Sequence, residues 1–147
     1  MRRLPEPSDV TKALTPGEQQ ALIGRWQLPV TEFERANPQL LHAKTGAAAA
    51  QSIFGESDAV VSAIKYHTTG KPDMTALEKI IYLADMIEPN RTYPGVDAIR
   101  EAAARDLDAG VLLALERTIA FLQEERAAVC ETSIHARDWL LQARKEL

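Results

Sequence analysis

Apolar residues recur along this chain with the three-to-four spacing of helices, and no stretch alternates with period two as a half-buried strand would. Thr15-Pro16-Gly17-Glu18 joins a capping hydroxyl, a proline at the first helical position and an acid three residues after the cap, and predicts a helix over 15–26. A short helix is expected over 31–36. Asn37-Pro38 opens a longer one through Leu40, Leu41 and the alanine run to Phe54, with Gly55 as its stop. The next begins near Ser57, turns Val60, Val61 and Ile64 inward and ends around His67, because Thr68-Thr69-Gly70-Lys71-Pro72 breaks the pattern. Thr75 with Glu78 makes a second capping box for a helix to Glu88, stopped by Pro89, and 90–95 reads as a loop. Three further helices are expected over 96–105, 109–126 and from 132 to the end. The alanine runs 47–50 and 102–104 predict close helix packing. Two prolines within seven residues predict a loosely held segment 1–14 ahead of a helical domain over 15–147.

The chain has 147 residues, 46% apolar and 26% charged, which suits one globular domain with a buried core. Its net charge of −4 argues against a DNA or RNA footprint, but a small phosphorylated ligand needs only a local basic cluster. Cys130, the single cysteine, has no disulfide partner within the chain, which favours a reducing compartment. Met1-Arg2-Arg3 begins like a secretory signal, but Pro5-Glu6-Pro7-Ser8-Asp9 follows in place of an apolar core. No apolar run approaches the roughly eighteen residues of a membrane span. The expectation is a cytoplasmic protein that does not enter a membrane.

Three polar groups break the pattern. Asp85 lies inside Ile80-Ile81-Tyr82-Leu83-Ala84-Asp85-Met86-Ile87, where a buried carboxylate needs a cation or donors. It reads equally as part of a solvated face or as the partner of a core arginine. His67 stands at a helix end before two hydroxyls, a glycine and a lysine, the parts of an anion site; a helix-terminal histidine favoured by the dipole is the plainer alternative. His42 follows Leu40-Leu41 beside an apolar stripe, where a hydrogen-bonded core histidine is equally at home. Taken together, two imidazoles and a carboxylate from three helices are how helical bundles assemble sites for iron, manganese or zinc. His135 reads as a surface residue and Cys130 as structural.

Several segments resemble a known family. They are Asn37-Pro38-Gln39-Leu40-Leu41-His42, Tyr66-His67-Thr68-Thr69-Gly70 and Leu77-Glu78-Lys79-Ile80-Ile81-Tyr82-Leu83-Ala84-Asp85-Met86-Ile87-Glu88-Pro89, followed by Arg91, Pro94-Gly95-Val96 and Asp106-Leu107. They resemble the HD-domain symmetrical dinucleoside tetraphosphate hydrolases of the YqeK type, over nearly the whole chain from about Ser8. The resemblance implies an all-α HD-domain helical bundle, here lacking its first helices. It implies metal-assisted cleavage of diadenosine tetraphosphate into two ADP at a two-metal centre, usually iron, with manganese as the other candidate. Asp9, His42, His67 and Asp85 match its metal ligands, and Asp9 and Lys12 match the segment of the His-Asp pair, with Ser8 where its histidine stands. One metal position thus keeps Asp9, His42 and His67; the other lacks two histidines. Lys12, Lys71 and Arg91 are the candidates to hold the polyphosphate, with Thr68 and Thr69 donating hydrogen bonds to it; Lys12, Thr68 and Thr69 lie in the matched segments. Tyr93 reads either as a stacking surface for a base or as a packing residue. A homodimer is also implied, and the absent helices predict exposed apolar surface. The alternative is a catalytically inactive remnant of the family that still binds a nucleotide or a metal.

Overall fold

Side-chain caps set where the helices begin. In the computed structural model, which describes Thr11 and residues 14–145, α1 (Pro16–Arg25) starts at Thr15, whose hydroxyl accepts from the Glu18 N–H. α2 (Glu32–Ala36) has a complete capping box between Thr31 and Glu34. The single helix expected from Asn37 divides in two: a 3-10 turn over Pro38–Leu40, then α3 (Leu41–Ser52). Proline keeps the preceding Asn37 out of the helical region, so the chain enters through a tight turn before the α-helical ladder begins. α4 (Asp58–Lys65) is capped by Ser57, and α5 (Ala76–Ile87) by the Thr75–Glu78 box with both halves formed. α6 (Val96–Arg105), α7 (Leu107–Glu124) and α8 (Glu131–Lys145) complete the order. α7 begins two residues before the expected 109, because the Asp106 carboxylate takes the N–H groups of Asp108 and Ala109. Among the described residues there is no strand, and the fold is all-α as expected.

The chain forms two compact units, Met1–Thr68 and Thr69–Leu147. In the first, α3 packs on α1 and α4. The alanine run does what its composition suggests: Ala47 and Ala50 are buried against Ile64, with Val60 and Val61 packed around them. In the second unit α7 is the central helix, in contact with α5, α6 and α8. Tyr82, Leu83, Ile99, Val111, Leu115 and Leu140 form its core. Full burial of such aliphatic side chains contributes roughly 1.5–3 kcal/mol each. Burial also pushes the Tyr82 phenol far above its ordinary range, against a smaller opposing effect from its hydrogen bond with Thr118. α6 meets α7 at Gly110, where an added Cβ would lie 2.6 Å from the Ala103 Cβ. Ile53 and Phe54 in the first unit and Ile80 and Phe121 in the second are exposed large apolar residues. Of the expected N-terminal segment 1–14, Asp9 and Lys12 lie outside the described residues, and no described helix is long and apolar enough to cross a membrane.

Two stability outcomes follow from these contacts. Gly110→Ala forces its methyl into Ala103 and should cost about 1–3 kcal/mol in urea unfolding. The Arg144 guanidinium beside Asp106, 3.0 Å away, holds that carboxyl below its usual range. A carboxyl lowered in the folded state stabilises fully above its unfolded value, about pH 3.9, and loses that contribution as pH falls through the folded value. Asp106→Asn keeps the cap but not the charge. It should be less stable than the parent in urea at pH 7, with the gap narrowing at pH 3.

Candidate metal centre

α3 and α4 run in opposite directions, joined by 53–57, so the first turn of α3 lies beside the end of α4. That topology brings His42, one residue into α3, against His67, two residues beyond α4. Their Nε2 atoms are 3.2 Å apart and their ring planes meet at 67°. Each ring is oriented by a backbone carbonyl on its other nitrogen: His42 Nδ1–H donates to Gln39 O at 2.7 Å, and His67 Nδ1–H donates to Ile64 O at 2.5 Å. A carbonyl only accepts, so both Nδ1 atoms carry the proton. In the neutral rings both Nε2 lone pairs then point into the same small space. Two lone pairs at 3.2 Å repel unless a cation lies between them.

A divalent metal fits this pair. Imidazole–metal bonds of about 2.0–2.1 Å place two adjacent nitrogens on one ion about 3–3.4 Å apart. A metal-ligating histidine characteristically donates its other N–H to a carbonyl or carboxylate, as both do here. Among the described residues no group of three or more His, Cys, Asp or Glu side chains converges as a ligand set. Asp9, the carboxylate expected beside these two imidazoles, lies outside the described residues.

A buried polar network that the sequence analysis did not single out supports His42. Thr11 Oγ1 donates to His42 O at 3.2 Å, Gln19 Nε2 donates to Thr11 O, and Thr45 Oγ1 donates to Gln19 Oε1 at 2.6 Å. Thr11, Gln19 and Thr45 are 0–3% exposed. Its only trace in the sequence is a glutamine and a threonine at positions that the helix pattern turns inward. An open cleft of about 290 Å³ on the same unit is lined by Gln20, Ile23, Gly24, Val30, Arg35 and Leu41.

The other candidates lie in or at the edge of the second unit. Asp85 is exposed in the last turn of α5, so the burial cost suggested by its apolar neighbours does not arise. A carboxylate there faces the negative end of the helix dipole, and among the described residues its oxygens have no cation or donor partner. The arginine that approaches it bonds its backbone: Arg91 Nε donates to Asp85 O at 3.0 Å. Tyr93 packs against the second unit's core, and its hydroxyl donates to Met86 O at 2.7 Å. Arg100, which the sequence analysis passed over, donates to Ile87 O at 3.2 Å and to Glu88 O at 2.8 Å. Lys71 Nζ lies 3.8 Å from the buried Glu78 carboxylate. Thr68 is half-buried, and Thr69 O accepts from Ser133 Oγ at 2.8 Å. Gly70, at φ +69°, turns its empty Cβ position toward Ala136 and Leu115 at 3.4–3.5 Å. Its close approach serves core packing, where the sequence had suggested an anion. His135 is exposed beside Glu131, as expected, and Cys130 is a free thiol, half-buried.

Comparison with known proteins bears on this arrangement. No family model matches the chain. It is 38% identical over 134 residues to the symmetrical bis(5'-nucleosyl)-tetraphosphatase of Bacillus subtilis, covering 90% of this chain and 72% of that protein. It is 38% identical over 138 residues to the symmetrical bis(5'-nucleosyl)-tetraphosphatase of Halalkalibacterium halodurans, covering 93% of this chain and 73% of that one. Its structure matches a predicted HD superfamily hydrolase involved in NAD metabolism from Clostridium acetobutylicum, with a TM-score of 0.88 and 34% identity, over 92% of this chain and 72% of that one.

The imidazole pair makes a direct prediction. Mn²⁺ at about a hundred times its dissociation constant should add about 2.7 kcal/mol to stability, seen as a rise in Tm. His42→Ala or His67→Ala should remove that rise.

Proposed function

Because the chain belongs to the family of symmetrical bis(5'-nucleosyl)-tetraphosphatases, hydrolases of the HD superfamily, we propose that it hydrolyses diadenosine tetraphosphate between its two central phosphates, giving two ADP. The observation that carries this reading is the opposed Nε2 pair of His42 and His67, fixed by two carbonyls at a spacing suited to a divalent ion. HD hydrolases are divalent-metal enzymes; iron, with manganese as a substitute, is the metal of this reading. His42 and His67 would hold it, with Asp9 and Asp85 as the carboxylate ligands that the family motif implies. When bound, such an ion supplies Lewis acidity that activates water and neutralises phosphate oxygens.

The chain's own groups do the positioning on which phosphoryl transfer depends. The Gln39 and Ile64 carbonyls hold both imidazoles in the Nδ1–H tautomer, so that Nε2 serves as ligand. Arg91 commits Nε to Asp85 O and keeps its Nη groups, which bond no described residue, for a phosphate. Lys12 and Lys71 add charge around the polyphosphate, and Thr68 adds a donor, whereas the Thr69 hydroxyl donates to Gly70 O at 2.9 Å. Tyr93 contributes less to this reading as a stacking platform than as the cap on Met86 O. The cleft beside Leu41 offers apolar walls and the Arg35 guanidinium to a nucleotide. The same reading includes a homodimer, which would cover exposed apolar groups such as Ile53, Phe54 and Phe121, and a cytoplasmic location, in keeping with the lone thiol of Cys130.

The test is incubation of the purified chain with diadenosine tetraphosphate and Fe²⁺ or Mn²⁺, with chromatographic separation of products. ADP as the sole nucleotide product, lost in His67→Ala, is the expected outcome. ATP with AMP would overturn symmetric cleavage. No turnover by folded, metal-loaded protein would leave the inactive binding module as the reading.

A further inference from the structure

Near its end α1 carries a glycine that its own packing does not require. Gly24 lies inside the helix, where glycine is a poor helix former. The left-handed residue that closes α1 is Gln27, at φ +52°, with the Leu28 N–H donating to Ile23 O at 3.0 Å, so the helix stop does not call for Gly24. A Cβ added at Gly24 meets no atom within 4 Å. What Gly24 does line is the open cleft of the first unit, with Gln20 and Ile23 on the same helix and Val30, Arg35 and Leu41 beyond it. The wall that carries Val30 and Arg35 is held in place by α3. Lys44 Nζ donates to Pro29 O at 3.1 Å and pairs with the Glu34 carboxylate at 3.5 Å. Glu34 also closes the capping box of α2 with Thr31. With that carboxylate engaged, the exposed Arg35 guanidinium has no hydrogen-bond or ion-pair partner among the described residues, and neither has the Gln20 amide.

We infer that this cleft is a base subsite of the hydrolase, which rests on the dinucleotide reading above: it takes the adenine of one half of the substrate, Gln20 reads the base edge and Arg35 meets the adjoining phosphates. Its volume of about 290 Å³ is at the small end of the range for ligand sites, enough for one base and too little for a dinucleotide. Leu41 lines it, and the next residue, His42, carries one imidazole of the pair, so cleft and pair share the first turn of α3. The glutamine amide offers one acceptor and one donor group. They match the N6 donor and N7 acceptor of adenine, whereas the same edge of guanine presents two acceptors. A guanidinium without a carboxylate partner suits phosphate oxygens, which it binds in a fixed fork. Bare backbone at Gly24 lets a flat ring approach the helix where any side chain would fill the space.

The experiment measures binding of ADP and of GDP to the full chain by equilibrium dialysis, with the Tm of each variant and KM for diadenosine tetraphosphate. Gly24→Leu puts a side chain into the cleft without meeting the rest of the chain. Its Tm should equal or exceed the parent's, because leucine is the better helix former, while ADP binding is lost. Gln20→Leu should weaken ADP about tenfold and GDP little, the loss expected for a bidentate amide contact to adenine. Arg35→Gln should weaken both nucleotides alike. Parent-like ADP affinity in folded Gly24→Leu overturns the inference, as does a preference for ADP over GDP that survives Gln20→Leu. A selective loss of GDP in Arg35→Gln would give the base edge to the guanidinium and overturn the adenine assignment. If the parent hydrolyses diadenosine tetraphosphate and Gly24→Leu leaves KM unchanged, the hydrolase reading stands and the subsite alone fails. If the parent neither hydrolyses it nor binds ADP, both fail.

Discussion

Close packing of α3 on α4 through alanine is the constraint on which the candidate centre depends. Ala47 and Ala50 leave no side chain long enough to hold the helices apart, so Ile64 and its valine neighbours settle directly against α3. The two helices are antiparallel neighbours, so the start of one meets the end of the other. Their closeness at the alanine face sets the closeness of His42 and His67 at that end. The two Nδ1–H groups turned to carbonyls then decide what the pair can do. With both protons facing away, the space between the rings is a donor set for a cation.

The candidate ligands of the two units are held by different means. His42 and His67 are oriented by backbone carbonyls three residues back, Gln39 in the 3-10 turn before α3 and Ile64 in the last turn of α4. Asp85 is placed by its helix, and the end of that helix is secured by side chains reaching back from the following loop and from α6. Proline after Glu88 rules out a helical continuation, and no glycine is there to close the end with a left-handed turn. The carbonyls of the last turn must find donors elsewhere, and arginine and tyrosine provide them. Polar residues that look in the sequence like ligands for a nucleotide are, in part, the structural end of α5.

Thr11, Gln19 and Thr45 show a third kind of support. Buried polar groups are expensive unless paired, and these form a chain of bonds that ends on the His42 carbonyl. They bind α1, α3 and the segment before α1 into one piece at the point where the first imidazole stands. The relatives of this chain are hydrolases by name, and their similarity runs through both units over nine-tenths of its length.

Local chemistry made much of this protein legible in advance. Capping residues at Thr15, Thr31, Ser57 and Thr75, the proline after Glu88 and the three-to-four apolar spacing act within a turn or two of chain, so the helices and the all-α class could be read directly. The identity of His42, His67 and Asp85 as residues out of keeping with their surroundings was equally visible. Tertiary structure decided the rest, because it depends on atoms distant in sequence. It brought two imidazoles 25 residues apart to 3.2 Å. It turned the empty Cβ position of Gly70 toward Ala136 and Leu115, and exposed Asp85 where its neighbours suggested burial. It also gave Arg100 a role that no spacing announces, since a guanidinium finds backbone carbonyls wherever the fold puts them, and carbonyls leave no mark in a sequence.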